Sequence, residues 1–328
     1  MATKPRKGPS EGPRAFERRV ERMLARRGVR GRGWLVALSG GADSVALLRV
    51  LVALSPRMGE LFALHVHHGL RGKSADADAE FCRTLCKELG VPFRVVRLKL
   101  KKGPALAERA RAGRYRLLEK ERERRGAKWV ALAHHADDQA ETVLARLARG
   151  APASGLAGIP AVREPFVRPL IEESRASILH YLESLAQDWR EDPSNASDAA
   201  ERNRIRRNII PVIERELRRP VGEALARVGA ESAEIADFIG AEAAKARKKI
   251  EKQAAEKRRY SLAALGKLAA PVRRELWRQV LGDLAGARRA SARQVDALEE
   301  LLASGEGQVA LPGGAKAGVS ARSLIITK

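Results

Sequence analysis

The 328-residue chain contains two cysteines, Cys82 and Cys86. Two thiols make neither a disulfide framework nor a four-ligand zinc site. They stand four apart in a predicted helix and so share a face. Read as buried structural thiols, they point to a reducing compartment. Long apolar runs are scarce as well. The most apolar window, residues 35–54, holds Asp43 and Arg49 inside the span, which excludes a membrane-crossing helix. Residues 1–13 are rich in Lys, Arg, Pro and Gly, and no apolar segment follows them. They read as a basic flexible tail and not as a secretory signal. A cytoplasmic protein without a membrane partner is the expectation. Acidic residues are the other shortage: 40 Asp and Glu stand against 63 Lys and Arg, a net charge of +23. Drift toward arginine in a GC-rich genome explains Arg in place of Lys, but not so large an excess over acids. Such an excess draws polyanions, nucleic acid ahead of an anionic membrane surface.

The length leaves room for two domains, and a hydrophobic content of 45% supplies a core. Short buried strands over 34–38, 61–66, 93–98 and 129–133 alternate with helical periodicity over 44–54, 74–89 and 105–125. That alternation predicts an α/β fold, a doubly wound parallel sheet with helices on both faces. Ligands of such sheets bind beyond the carboxyl ends of the strands. A loop-rich stretch over 151–169 precedes a helix over 174–187 and a polar, charged segment over 188–208. From Pro211 the composition changes, and Ala/Glu/Lys/Arg stretches predict helix through Arg259. Further helices are expected over 261–303, then a terminal hairpin from 309–311 and 317–326. The boundary falls near 211–220, giving domains over 14–212 and 213–328, the second smaller and mainly helical. No internal repeat is evident.

The first predicted strand runs into Ser39-Gly-Gly-Ala-Asp-Ser44, and an apolar helix follows at once. Two glycines permit backbone geometries that a Cβ resists. Backbone N–H groups at a helix start then make an anion site. No Gly-Lys-Ser/Thr follows these glycines, which excludes a Walker loop. Five of the six histidines fall at two strand ends: His65, His67 and His68, then His134 and His135. Zinc is one explanation for them; the acids nearby suit a hard cation such as Mg²⁺ better. In His134-His-Ala-Asp-Asp-Gln-Ala-Glu-Thr142, Asp138 and Glu141 share a helix face at i and i+3. They are placed to hold Mg²⁺ or an ammonium, against the plainer reading of acids capping a helix dipole. Glu108-Arg-Ala-Arg-Ala-Gly-Arg-Tyr115 groups Arg111, Arg114 and Tyr115 on one face, suited to phosphate and base contacts or else a solvated basic face. Arg202-Asn-Arg-Ile-Arg-Arg-Asn-Ile-Ile-Pro211 interleaves arginines with Ile205 and Ile209, so it is anchored in part and able to grip an RNA backbone or a transferring phosphate.

The six-residue glycine loop resembles the pyrophosphate loop of the N-type ATP pyrophosphatases. Taken with His65-Val-His-His-Gly-Leu-Arg71, the Glu108–Tyr115 run, His134 to Thr142, Glu191-Asp-Pro-Ser-Asn195 and Arg202 to Pro211, in that order, residues 34–211 resemble the tRNA(Ile)-lysidine synthetases. The resemblance implies a reaction. ATP adenylates the C2 oxygen of the wobble cytidine, C34, in a CAU-anticodon tRNA(Ile), and pyrophosphate leaves. The ε-amine of free L-lysine then displaces AMP to give lysidine. On this reading Ser39, Gly40, Gly41, Ala42, Asp43 and Ser44 hold the pyrophosphate of ATP, and Asp43 holds Mg²⁺. Ala37, His65, His67 and His134 complete the ATP site. Asp138 and Glu141 bind the lysine ammonium, and one takes its proton. Arg111 and Arg207 stabilise the α-phosphate. Arg71, Arg114, Tyr115, Arg202, Arg204 and Arg206 contact tRNA, with the C-terminal domain as a further tRNA-binding module. A helical dimerisation role for that domain, hence a homodimer, stays open. Two departures stand out. His67 replaces the family's usual Asn, and longer members carry another C-terminal domain. The rivals are a tRNA thiolase, disfavoured because Cys82 and Cys86 lack Cys-X-X-Cys spacing, and a non-catalytic RNA binder on a relic nucleotide fold, disfavoured by the intact Asp43, Asp138 and Glu141.

Overall fold

The computed structural model describes residues 12–67, 73–98, 103, 105–191, 201–254, 257–285 and 291–327. The chain divides into two compact units, Met1–Glu231 and Ser232–Lys328. No described helix is long and apolar enough to cross a membrane.

The first unit opens with α1 (Pro13–Arg26), which the expected element list lacks. Its signal is present: Pro13 presets the first turn, and Phe16, Val20, Met23 and Leu24 form a buried stripe at helical spacing. β1 (Trp34–Ala37), α2 (Ala42–Met58), β2 (Leu61–His67), α3 (Lys73–Glu88), β3 (Phe93–Arg97), α4 (Leu106–Arg124), β4 (Trp129–Ala131) and α5 (Ala136–Ala148) follow in alternation. Two short strands come next, β5 (Val162–Arg163) and β6 (Phe166–Val167), then α6 (Arg175–Ser184). The six strands lie in the order β3-β2-β1-β4-β6-β5. Every neighbouring pair is parallel except β5 with β6. The stretch over 151–169 is loop-rich, as expected, and adds two short strands that the sequence does not announce: Val130 and Ala131 pair with Phe166 and Val167. Strands of two residues are too short to leave a periodic trace.

Both sheet faces are covered, which is why β1 reads as an unbroken apolar run. Successive side chains alternate faces. Trp34 and Val36 join the core that packs α1, α2 and α6, with Val45, Leu47, Leu48, Leu51, Ile178 and Tyr181. Leu35 joins the opposite core, with Leu64, Leu118, Val130 and Phe166. α2 is buried on most of its circumference, so its composition is apolar nearly all round. After α6 the chain is described again from α7 (Glu201–Arg204), which continues through one π-helical turn (Ile205–Ile209) into α8 (Ile210–Leu217). α9 (Val221–Ile250) contains the boundary between the units.

The second unit holds the rest of α9, then β7 (Glu251–Ala254), β8 (Lys257–Ser261), α10 (Leu262–Gly266), α11 (Ala270–Ala285), α12 (Ala292–Ser304), β9 (Gln308–Ala310), β10 (Lys316–Ser320) and β11 (Ser323–Thr327). Its helices accompany a five-stranded sheet ordered β7-β8-β11-β10-β9. Helix was expected through Arg259; instead it ends at Ile250 and a β7–β8 hairpin follows. Tertiary contacts override the local propensity here. Tyr260, fully buried, stands edge-on to Trp277 at 5.5 Å and donates its hydroxyl to Glu251 at 2.8 Å. The segment 317–326, expected as one strand of the terminal hairpin, is itself the β10–β11 hairpin, turning at Ala321 with φ 50°.

Candidate active site

The carboxyl end of β1 runs into the glycine loop as its residue order predicts. Gly40 has φ +94°, a region that a side chain resists, and a Cβ there would stand 3.3 Å from Cys82 Sγ. The Ser44 hydroxyl gathers the loop. It accepts from the amides of Ser39 (3.1 Å) and Gly40 (3.2 Å) and donates to the Gly41 carbonyl (2.9 Å). Gly41 stands at the N-cap of α2 with no side chain to cap it. The amides of Ala42 and Asp43 therefore have no partner among the described residues, at the positive end of a long helix. The Arg190 amide closes the loop from outside by donating to the Gly40 carbonyl at 2.9 Å.

β4 ends one strand away, and α5 starts there. The Asp138 carboxylate accepts from the His135 amide at 3.1 Å. Asp138 is 8% exposed and Glu141 1%. Both face two guanidinium groups from the segment after the polar stretch. Arg202 donates through Nε to Glu141 (2.5 Å) and through Nη2 to Asp138 (2.7 Å). Arg206 donates through Nε to Glu141 and through Nη2 to Asp138 (3.0 Å). Arg202 and Arg206 stand at i and i+4 and so reach the same pair. Burial pushes the Asp138 carboxyl up, but the charges of His135 and Arg202 outweigh it and leave the group below its ordinary value.

His135 is buried among acids: Nε2 lies 3.7 Å from Asp43 and 3.6 Å from Asp138, and Nδ1 lies 3.4 Å from Asp137. Burial alone would lower its pKa; those three carboxylates raise it above the ordinary value instead. His134 behaves oppositely. Burial, with help from Arg168, Arg202 and Arg114, pushes it down to about 3, against the pull of Asp138, so the ring is neutral. Arg175, at the first turn of α6, donates from Nη1 to both oxygens of Asp43, at 2.9 and 3.0 Å. Its backbone amide donates to Asp137 at 2.8 Å. An uncapped helix start, a buried acid pair and several guanidinium groups thus share the carboxyl edge of the sheet. That set can bind a polyphosphate and a cation side by side.

The sequence model of the PP-loop domain matches residues 13–213. The chain belongs to the PP-loop domain family. Among curated proteins it is similar to the tRNA(Ile)-lysidine synthase of Pseudomonas aeruginosa, 44% identical over 186 residues. That match covers 55% of this chain and 41% of that protein. The tRNA(Ile)-lysidine synthase of Solibacter usitatus is 45% identical over 193 residues, 58% of this chain and 43% of that protein. The matched stretch is thus less than half the length of either relative. Among solved structures, the U34-tRNA thiolase NcsA of Methanococcus maripaludis superposes with a TM-score of 0.55 at 21% identity, covering 67% of this chain and 79% of that one. That likeness is one of fold.

Around the PP-loop the structure places the expected residues as follows. His65 and His67 are the last inward residues of β2, which runs one residue past the expected end at 66. His65 Nδ1 is 3.0 Å from the Leu38 carbonyl, and burial lowers its pKa. His67 Nε2 is 3.2 Å from Asp76. Arg111 donates to the Tyr115 hydroxyl at 3.4 Å with its guanidinium 5.2 Å from the ring centre. Arg114 lies 5.8 Å from the same ring, and burial lowers its pKa. Arg204 and Arg207 are exposed on the segment that carries Arg202 and Arg206. His68, Arg71 and the Asp192–Asn195 part of the charged motif lie outside the described residues, as do residues 1–11 of the basic tail. Among these described residues no group of three His, Cys, Asp or Glu side chains is arranged to hold a metal.

Three site residues escaped the sequence reading. His135 stands out in the sequence only as one of a histidine group. Arg168, 4% exposed and bonded to the Pro160 carbonyl at 2.7 Å, sits in the stretch expected as loop. Arg175 lies in an ordinary-looking amphipathic helix, 132 residues from its partner Asp43. A buried arginine and a remote ion pair leave no local pattern.

Proposed function

We propose that the chain is an ATP-dependent ligase that joins free L-lysine to C2 of the wobble cytidine of a CAU-anticodon tRNA(Ile), through an adenylated cytidine. The observation that carries the reading is the buried pair Asp138–Glu141 set beside an uncapped PP-loop. An ATP-binding loop alone needs no such pair. A reaction that must bring a cationic amine to an adenylate does. Similarity to tRNA(Ile)-lysidine synthases over more than half the chain supports the same choice.

The loop amides of Ala42 and Asp43 receive the pyrophosphate half of ATP. Asp43 fits Mg²⁺ through the carboxylate lone pairs that Arg175 leaves open, because that ion takes one or two carboxylates and completes its shell with substrate phosphates and water. Bound there, it would offset the charge of the leaving pyrophosphate. The cytidine O2 attacks the α-phosphorus, the α–β bridge bond breaks, and pyrophosphate departs. Cations beside the α-phosphate, Arg111 and Arg207 in this reading, stabilise charge that grows on its oxygens. The lysine ε-ammonium then enters the acid pair. It loses a proton to one carboxylate, attacks C2, and AMP leaves with the C2 oxygen. An ammonium has no lone pair to attack with, so a base is required.

The guanidinium groups of Arg202 and Arg206 stand where the ammonium must go, with four hydrogen bonds to the pair. On this proposal they leave for RNA phosphates as tRNA docks, and Asp138 and Glu141 are then open to lysine. Arginine suits both partners, because its fork matches carboxylate and phosphate alike. Arg71, Arg114, Tyr115 and Arg204 extend the RNA contact, with the second unit as an additional tRNA-binding surface. The test is transfer of labelled lysine to an unmodified CAU-anticodon tRNA(Ile) transcript, with initiator methionine tRNA as control. Label on the first alone, and only with ATP, is the expected result. Pyrophosphate release without label would keep the adenylation and replace lysine by another nucleophile. Neither signal would leave an RNA-binding protein.

A further inference from the structure

Two of the arginine–carboxylate pairs around the start of α6, Arg19 with Glu173 and Arg175 with Asp43, differ in kind. Arg19, from α1, donates to Glu173 through Nε at 3.0 Å and through Nη2 at 3.0 Å, and Nη2 also reaches the Ser177 hydroxyl at 3.0 Å. Its acceptor is 8% exposed. That is a strut: the fork is engaged and the carboxylate is buried. Arg175 uses one nitrogen. Nη1 spans both oxygens of Asp43, while Nε and Nη2 make no hydrogen bond among the described residues. Its side chain is 39% exposed and Asp43 30%. α6 does not need this pair to stay on α2, because Ile178, Tyr181 and Leu182 already share a core with Val45, Leu48 and Leu51.

Asp43 stands in the first turn of α2, where the amides of Ala42 and Asp43 are without partners among the described residues. The guanidinium of Arg175 is therefore anchored at the mouth of the PP-loop with two N–H-bearing nitrogens uncommitted among the described residues. We infer that Arg175 is a ligand of the β- and γ-phosphates of ATP, oriented toward them by Asp43. The inference rests on the ATP-dependent reading above. Its chemistry is that of a planar fork on phosphate oxygens, which adds direction to charge. Arg175 acts on the leaving half of the nucleotide, so ATP should feel it and AMP should not.

The experiment is equilibrium binding of labelled ATP and of labelled AMP to the full chain in Mg²⁺ buffer, with thermal melting to verify that each variant folds. Arg175→Ala is expected to lose about 10- to 100-fold in ATP affinity, the worth of one or two charge-assisted bonds, with AMP affinity changed by less than about twofold. Arg175→Lys, which keeps the charge and loses the fork, is expected to fall between. ATP binding by Arg175→Ala equal to that of the parent chain overturns the inference. So does a parallel loss of ATP and AMP, which marks a structural strut. Failure of the parent chain itself to bind ATP overturns the ATP-dependent reading and this inference with it.

Discussion

In the second unit Glu251 accepts from Arg247 Nε at 2.5 Å and from the buried Tyr260 hydroxyl at 2.8 Å, and Arg247 turns its other nitrogen to Asp283 at 2.6 Å. In the first unit Asp138 and Glu141 accept from Arg202 and Arg206 at similar distances. By distance and charge the two clusters are alike. Their surroundings separate them. The Glu251 cluster joins the end of α9 to the β7–β8 hairpin and α11, beside Tyr260 and Trp277 in the core. The Asp138 cluster borders an uncapped helix start, a neutral His134 whose buried Nδ1 has no hydrogen-bond partner among the described residues, and Arg114 and Arg168, each with a buried Nε likewise unmatched there. No buried side-chain atom of that kind is described in the second unit. An ion pair by itself says little about function; buried groups left unmatched around it say more, because each is costly unless something else, such as a ligand, satisfies it.

The sharpest way to break the comparison is to neutralise one acid of the first cluster. Asp138→Asn keeps the shape and an oxygen for the His135 amide. Lysine transfer is expected to fall by about 10²–10⁴-fold, the usual worth of a positioned base or charge partner, while tRNA affinity stays near that of the parent chain. Transfer assays paired with filter binding decide it. Equal loss of both would make Asp138 part of the RNA-gripping structure and remove the functional distinction between the clusters.

How much of this site was legible follows the same division. β1, the glycine loop and the start of α5 were readable because each is local: an apolar run, two glycines, acids in a first helical turn. Arg202 and Arg206 were visible as part of a basic run, but not their engagement with Asp138 and Glu141, since complementary charge carries no positional signature over the 64-residue separation of Arg202 from Asp138. Arg175 was silent for the same reason. The β7–β8 hairpin was masked by helix-forming composition that only the contacts of Tyr260 with Glu251 and Trp277 override. The sequence puts Cys82 on the right helix and reads it as a buried structural thiol, with nothing to say what it packs against. In the structure its thiol packs under Gly40 and lies 3.7 Å from His65 Nδ1.

A smaller effect is expected from Glu251→Gln in the second unit. Loss of the charge weakens the bonds from Arg247 and the buried Tyr260 hydroxyl, at about 1–3 kcal/mol of stability near neutral pH, with lysine transfer per folded molecule unchanged. The pH dependence gives an independent check. Burial raises the Glu251 carboxyl, but the hydrogen bonds from Arg247 and Tyr260 hold it below its ordinary 4.5. A depressed carboxyl contributes stability above its unfolded value and loses that contribution as pH falls through the folded one. The gap between parent and variant, measured by denaturant melts, should therefore be full above about pH 5 and close in acid. A gap that persists unchanged in acid would trace the loss to packing and not to charge.

The smallest effect on activity is expected where the thiolase reading would predict the largest. Cys82 and Cys86 are both fully buried, and burial pushes each thiol up to about 12. At neutral pH neither is a thiolate, and the thiolate is the form that attacks or carries sulfur. Position beneath the PP-loop makes Cys82 a packing partner of Gly40 and not a nucleophile, since the same burial that brings it close keeps it protonated. Replacing both by Ser puts hydroxyls into an apolar core, which lowers stability by about 1–3 kcal/mol and leaves lysine transfer per folded molecule as it was. Assays at a temperature well below the variant's melting point separate the two effects. If transfer vanished while the fold and ATP binding survived, the chemistry would run through sulfur, and the first unit would have to be read as a thiolation domain whose acid pair serves only to hold Arg202 and Arg206.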